Sequence, residues 1–308
     1  MEIRQPRARC FAWAMAVLLG APALGFAAEA ESTPPPQEQV TVEAHRETLE
    51  RRAQDFVSQI TTGPSDESLQ RWTRPMCPMV AGLTKAQGEL VLTRVSQIAR
   101  SVGAPLGPEQ CQANLIIIVA PDPKQAIEAW RKRSSGQIFN GASPTTVRHF
   151  IETDHPVRAW YNARVYDSRG VALTDANVTF NHRGGEAGNR ASVNSHASDT
   201  RIELNTVKDL AAVLLFVDAR SLEHVQIGQL ADYLGMVGLA KLDTAAHPAG
   251  APTILNLFDG GDASQPPPAG LTEWDEAFLR ALYHTDARAR MQRAAITRSI
   301  AHDVDTHP

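Results

Sequence analysis

Asn114-Leu115-Ile116-Ile117-Ile118-Val119-Ala120, with Asp122-Pro123 close behind it, decides the fold class. The first stretch is a continuous apolar run bounded by turn residues. A strand that is apolar at every position has both faces covered, as a central strand does in a sheet with helices above and below it. Asp122-Pro123 then opens a helix, with aspartate as N-cap and proline at the first helical position, where its missing N–H costs nothing. Ile127 and Trp130 face inward, and Arg131, Lys132 and Arg133 lie at the carboxyl end, where the helix dipole favours cations.

Upstream, Cys77-Pro78-Met79-Val80 reads as a short extended segment. Thr84 and Gln87 have the capping-box spacing, and Val91, Val95, Ile98 and Val102 follow one helical face until Gly103 and Pro105 stop it. Strand, helix, strand, helix is an α/β (α+β) arrangement, a mixed β-sheet with packed helices. His45 to Ile60 forms a further helix, with Leu49, Ala53, Phe56 and Ile60 on one face.

Downstream, Ala159–Tyr166 and Val171–Phe180 alternate on either side of Asp167-Ser168-Arg169-Gly170, a hairpin signal. Residues 181–200 are polar and glycine-rich and read as a long loop. Val213–Val217 is a second buried strand. In the 221–243 stretch Ile227, Leu230, Leu234 and Val237 share a helical face, and Gly228, Gly235 and Gly238 lie within the same stretch. Each glycine costs ~1 kcal/mol relative to alanine in a helix interior, so this helix either packs very closely or ends near Gly235–Gly238. A proline- and glycine-rich passage, 244–270, surrounds Thr253–Phe258. Thr272 caps a helix with Trp274, Phe278, Ala281 and Leu282 on one face, and the tail 286–308 is helical or partly disordered.

The amino terminus sets the compartment. Arg4, Arg7 and Arg9 precede an uncharged apolar run from Phe11 to Ala28 that ends in small residues, the order of a secretory signal peptide over residues 1–28. The run is short for a membrane anchor and contains Gly20, Pro22 and Gly25. Residues 29–44 read as a proline-rich linker and 45–285 as a single globular domain, periplasmic or secreted, with no later stretch able to span a bilayer. Cys10 falls in the removed segment. Cys77 and Cys111 then make an even count, which in an exported chain reads as a disulfide rather than a metal ligand pair or a reactive thiol.

The apolar share, 43%, supports a real core. The whole chain carries −4; without its first 27 residues, 27 basic face 33 acidic residues, a net −6. Such a surface has no general attraction for phosphate backbones, which excludes nucleic acid as a partner.

The sequence contains no GxSxG, P-loop, GxGxxG or HExxH. His149-Phe150-Ile151-Glu152-Thr153-Asp154-His155 holds four metal-capable side chains, but on a strand the two histidines stand ~20 Å apart and the two acids point the other way. The segment therefore reads as a surface loop, with His149 and His155 the candidate ligands if any metal binds. His196, Ser198 and Asp199 are ordinary residues of a polar loop. Glu223-His224 precedes the 225–238 helix, where acids and histidines usually cap or face solvent.

Gly238-Leu239, Pro252-Thr253-Ile254-Leu255-Asn256, Leu271-Thr272-Glu273-Trp274-Asp275 and Leu282-Tyr283 occur in an order that resembles a family of exported bacterial zincin-like peptidases of unknown function. The resemblance covers the second half of the chain and implies a zincin-like fold there. In that family the helix before Gly-Leu carries a metal-binding His-Glu pair. Counting back from Gly238-Leu239, Ala231 stands at the histidine and Asp232 at the glutamate. Alanine cannot ligate zinc, and a zincin needs two histidines one helical turn apart plus an acid. The resemblance thus implies a degenerate member, a pseudoenzyme without cofactor. The expected function is a non-catalytic binding or envelope-associated protein with an unidentified envelope protein or ligand as partner. The alternative is a hydrolase with a non-standard site drawing on His224, Asp232 and the 149–155 cluster.

Overall fold

The computed structural model describes residues 36–63, 67–134, 137–139, 141–167, 172–173, 206–259, 266–287 and 291–306. The segment read as a signal peptide, residues 174–180 of the expected hairpin and the glycine-rich loop with His196, Ser198 and Asp199 lie outside these residues. In chain order the elements are α1 (Pro36–Ile60), β1 (Pro78–Ala81), α2 (Lys85–Ser101), β2 (Leu115–Ala120), α3 (Pro123–Arg133), α4 (Pro144–Glu152), β3 (Val157–Asp167), β4 (Ala172–Leu173), β5 (Thr206–Asp218), α5 (Ile227–Leu239), α6 (Glu273–His284) and α7 (Gln292–Thr306).

The apolar runs pair side by side in one mixed sheet of order β1-β2-β5-β3-β4. Leu115–Ala120 runs parallel to Pro78–Ala81 on one side and to Val213–Asp218 on the other. Strand β3 is antiparallel to β5, and β4 is antiparallel to β3. Alternation along the strands divides the apolar side chains between two layers. Leu115, Ile117, Val119, Val213, Leu215 and Val217 join the main core with α2 and α5. Ile118, Leu214, Phe216 and Trp160 face a smaller cluster completed by Ile127, Phe139 and Phe150. That second layer is largely aromatic and edge-to-face, with Phe139–Trp160 at 4.8 Å and Phe150–Trp160 at 5.1 Å between centroids.

The local start signals act as read. Thr84 and Gln87 form a reciprocal capping box on α2, Asp122 accepts from Gln125 N on α3, and Thr272 with Asp275 forms a second capping box on α6. Cys77 and Cys111 are disulfide-bonded, with Cα atoms 5.9 Å apart. The bond lies where β1 and β2 begin, beside Asn114, whose Oδ1 accepts from Cys77 N at 2.7 Å.

Several elements differ from the sequence expectation. Helix α1 begins at Pro36, inside the stretch read as linker, because a proline in the first turn gives up no hydrogen bond. Strand β5 begins at Thr206 and is thirteen residues long. Residues 144–152 are helical, not a loop: Ser143 caps Thr146 N at 3.1 Å with Pro144 at the first position. In the tail, where a helix is one of the two readings, Gln292–Thr306 form α7, with Ile296 and Ile300 fully buried. Among the described residues no helix is long and apolar enough to cross a membrane.

Two of the three α5 glycines, Gly235 and Gly238, mark close packing, and the helix ends at Leu239, directly after Gly238; Gly228 has open space around it. A Cβ on Gly235 would stand 2.6 Å from Ile98 Cδ1, and one on Gly238 3.1 Å from Leu115 Cδ2, so α5 lies tight against α2 and β2. Trp72 seals this contact, its indole N–H donating to Gly238 O at 2.8 Å. Gly82, which ends β1, is more constrained. Its φ is +88°, and a Cβ there would fall 1.8 Å from Val119 O. Gly82→Ala is expected to lower unfolding stability by roughly 3 kcal/mol through the combined strain and clash. Urea denaturation checks this; an unshifted midpoint would show that the β1 end can move aside.

Candidate functional site

The chemistry singled out by the sequence converges on α5 and the two segments laid beside it. At the start of the helix Gln226 N donates to Gln229 Oε1 at 3.0 Å. From Gln229 to Leu239 every residue is buried, so α5 has no solvent-facing stripe beyond its first turn. Ala231 is fully buried, its methyl in the main core.

Asp232 is 6% exposed, and both its carboxylate oxygens are engaged. Oδ1 accepts from Arg94 Nε on α2, and this bond raises the guanidinium pKa above its ordinary value. Oδ2 accepts from Leu271 N at 2.9 Å. A Cβ on Gly270 would stand 2.6 Å from that same oxygen, so the chain passes over Asp232 with no room for a side chain. Gln229 fastens the same segment by donating to Pro268 O at 2.6 Å. Residues 266–271 are therefore strapped across the amino-terminal half of α5, and Asp232 is a structural clamp.

The four short motifs meet in space. Tyr283 donates to Leu239 O at 2.7 Å, joining Leu282-Tyr283 to Gly238-Leu239. Asp275 accepts from Thr253 Oγ1 (2.5 Å), Ile254 N (2.8 Å), Thr272 N (3.0 Å) and Thr272 Oγ1 (2.9 Å), binding the 252–256 turn to the start of α6. Asp275 is fully buried, and desolvation pushes its pKa up to about 6 against the pull of those donors.

On the far side of the 266–272 strap lies a cleft of about 990 Å³, walled by residues 247–253 opposite 266–272. Its polar groups are Asn256 and a contact pair formed by His247 Nδ1 and Asp259. Of the hydroxyls on its lining, Thr253 Oγ1 donates to Asp275, and Thr272 Oγ1 is 2.9 Å from both Asp275 Oδ2 and Pro252 O. Tyr233 packs edge-on against Phe258 with centroids 5.0 Å apart; its buried hydroxyl has no hydrogen-bond partner among the described residues, and desolvation raises its pKa.

The remaining sequence candidates stay dispersed. His224 is exposed just ahead of α5, and His149 is exposed on α4. His155 is half-buried, its Nδ1 at 2.8 Å from Val157 O and its ring edge-on to Phe258; burial lowers its pKa. No hydrogen bond or ion pair among the described residues links His224, Asp232, His149 and His155 to one another. No group of three or more His, Cys, Asp or Glu among them is arranged to hold a metal ion. The His247–Asp259 pair escaped the sequence reading because its members lie in a passage without periodicity. Arg94 escaped it because an arginine on an amphipathic helix looks like a solvated residue.

No family model matches the chain, and no curated protein and no solved structure matches it either.

Proposed function

We propose that this chain is a non-catalytic, partner-binding protein of the cell envelope, built on a zincin-like second half that lacks a metal site. One observation carries the reading. Where the resemblance calls for a metal histidine there is the core methyl of Ala231, and where it calls for a catalytic acid there is Asp232, occupied by Arg94 and by Leu271 N. A general base must reach a proton on its substrate, and a carboxylate clamped on both oxygens beneath a strap does not. The zincin-like part draws support from the mutual contacts of the four motifs, which hold the fold of this half together. The disulfide and the amino-terminal pattern support the location outside the cytoplasm.

The test is the zinc content of the mature protein, purified without chelators or affinity histidines, alongside incubation with an unstructured protein substrate. The expected result is well under one zinc per chain and an intact substrate. Stoichiometric zinc that is lost on substituting His149, His155 or His224 would overturn the reading, as would hydrolysis abolished by Asp232→Asn.

A further inference from the structure

Cations from three segments gather at one corner of the molecule, around residues 67–71. This stretch runs between the start of β5 and the chain leaving α5: Leu210 N donates to Arg71 O at 2.9 Å, and Lys241 N donates to Gln70 O at 3.2 Å. Leu242 bridges in turn to Thr61, whose Oγ1 is engaged by the Arg293 guanidinium at the start of α7. Lys208, Lys241 and Arg293 are thus brought onto adjacent extended segments, about 5 Å apart from one to the next. Among the described residues one carboxylate, Glu67, faces both Lys241 and Arg293, and its Oε2 is already taken by Lys208 Nζ at 2.7 Å. The Lys241 ammonium is left over. It is half-buried and makes no hydrogen bond or ion pair among the described residues; burial and the neighbouring Lys208 ammonium lower its pKa. An ammonium withdrawn from water without an acceptor is costly. Two further groups are orphaned on the same stretch. Gln292 Oε1 accepts from Leu69 N at 2.8 Å, while its buried Nε2 has no acceptor and the buried Gln70 Oε1 has no donor among the described residues. Solvent reaches the corner, since the Lys208 and Glu67 side chains are 33% and 43% exposed.

What this corner lacks is an oxyanion. A carboxylate holds two oxygens in one plane, whereas the donors here come from separate segments, and a tetrahedral phosphate offers oxygens in several directions. Lysine binds phosphate as a point charge and needs no planar fork to do so. A singly protonated phosphate also carries one hydroxyl, the kind of donor that Gln70 Oε1 is missing; sulfate at neutral pH carries none. We propose that the corner around residues 67–71 binds a phosphate group, with Lys241 and Lys208 as its charged contacts. It shares no residue with the cleft walled by 247–253 and 266–272, and the inference does not depend on the non-catalytic reading of α5.

The probe is inorganic phosphate, titrated calorimetrically into the mature full chain, with sulfate and acetate as parallel arms at one ionic strength so that general screening cancels. The expected result is saturable phosphate binding, at least tenfold weaker for sulfate and for acetate. Lys241→Gln is expected to weaken phosphate binding at least tenfold. Because it removes the repulsion from Lys208, it should unfold in phosphate-free buffer at no lower urea concentration than the wild type. Lys241→Arg keeps the charge and should bind within threefold. Phosphate should raise the urea midpoint of the wild type and leave that of Lys241→Gln in place. Absence of binding up to millimolar phosphate, equal affinity for acetate, or undiminished binding by Lys241→Gln would overturn the proposal. Two further arms identify the source of the group. Binding of glycerol 3-phosphate assigns a soluble ester. Sedimentation with vesicles of phosphatidylcholine and phosphatidic acid, abolished by Lys241→Gln, assigns a lipid headgroup. Binding of inorganic phosphate alone assigns the free ion, and each of the three supports the site.

Discussion

Asp275→Ala is expected to cost about 4 kcal/mol of unfolding stability, since it leaves two backbone donors in the interior without an acceptor and removes a helix cap. The carboxylate joins the 252–256 turn to α6 through four donors and is fully buried. Two of them, the hydroxyls of Thr253 and Thr272, can rotate to other acceptors; Ile254 N and Thr272 N cannot. The thermal midpoint should fall by roughly 10 °C. The same site leaves a pH signature. Its folded pKa of about 6 lies above the ordinary 3.8, so the folded chain holds the proton more tightly than the unfolded one. This contribution is complete below about pH 4, declines as pH rises towards 6, and is gone above it, a span worth roughly 3 kcal/mol. Asp275→Asn supplies one acceptor oxygen and cannot ionise, so the slope between pH 4 and 6 should disappear. Urea midpoints of the two variants at pH 4, 5, 6 and 7 check both claims. A slope that persists in the asparagine variant would assign the titration to another group.

The second large effect belongs to the disulfide. Cys77 and Cys111 are 34 residues apart, and closing a loop of that size restricts the unfolded chain by about 4 kcal/mol on the chain-entropy account. The folded state does not need the bond to position its strands: Cys77 O accepts from Asn114 N at 3.0 Å and from Leu115 N at 3.2 Å, and Asn114 Oδ1 holds Cys77 N. Cys77→Ala/Cys111→Ala should therefore keep the native circular dichroism spectrum and lose stability to about the same extent as the reduced wild-type protein. A double variant with an unchanged urea midpoint would mean that the unfolded chain is already compact between the two cysteines.

What could be read from the sequence was local. Thr84, Asp122 and Thr272 announce their helices because a cap needs only a partner three residues on. Leu115–Ala120 announces a central strand because both its neighbours and both its covering layers demand apolar side chains. Helix α4 announces itself equally in Ser143-Pro144, a cap and a first-turn proline, and a strand or loop reading of His149–His155 passes over that signal. The candidate site was visible in its residues and not in its contacts. Asp232 could be placed on the buried helix, yet its partner Arg94 is 138 positions away on another helix, and its second donor, Leu271 N, is a backbone group that no side-chain pattern reveals. The His247–Asp259 contact is made by turns, which carry no repeating spacing.

The strand order has a consequence for biosynthesis. β2 is flanked by β1, which precedes it closely, and by β5, which does not begin until Thr206. A chain emerging from its amino terminus therefore completes β1, α2 and β2 while one side of Leu-Ile-Ile-Ile-Val still lacks its neighbour. Short, uncharged, β-branched segments with an open edge are the segments that pair with other chains. Until β5 is made, the nascent protein carries its most aggregation-prone edge uncovered, and a holdase that shields extended apolar segments is the chaperone activity its production demands.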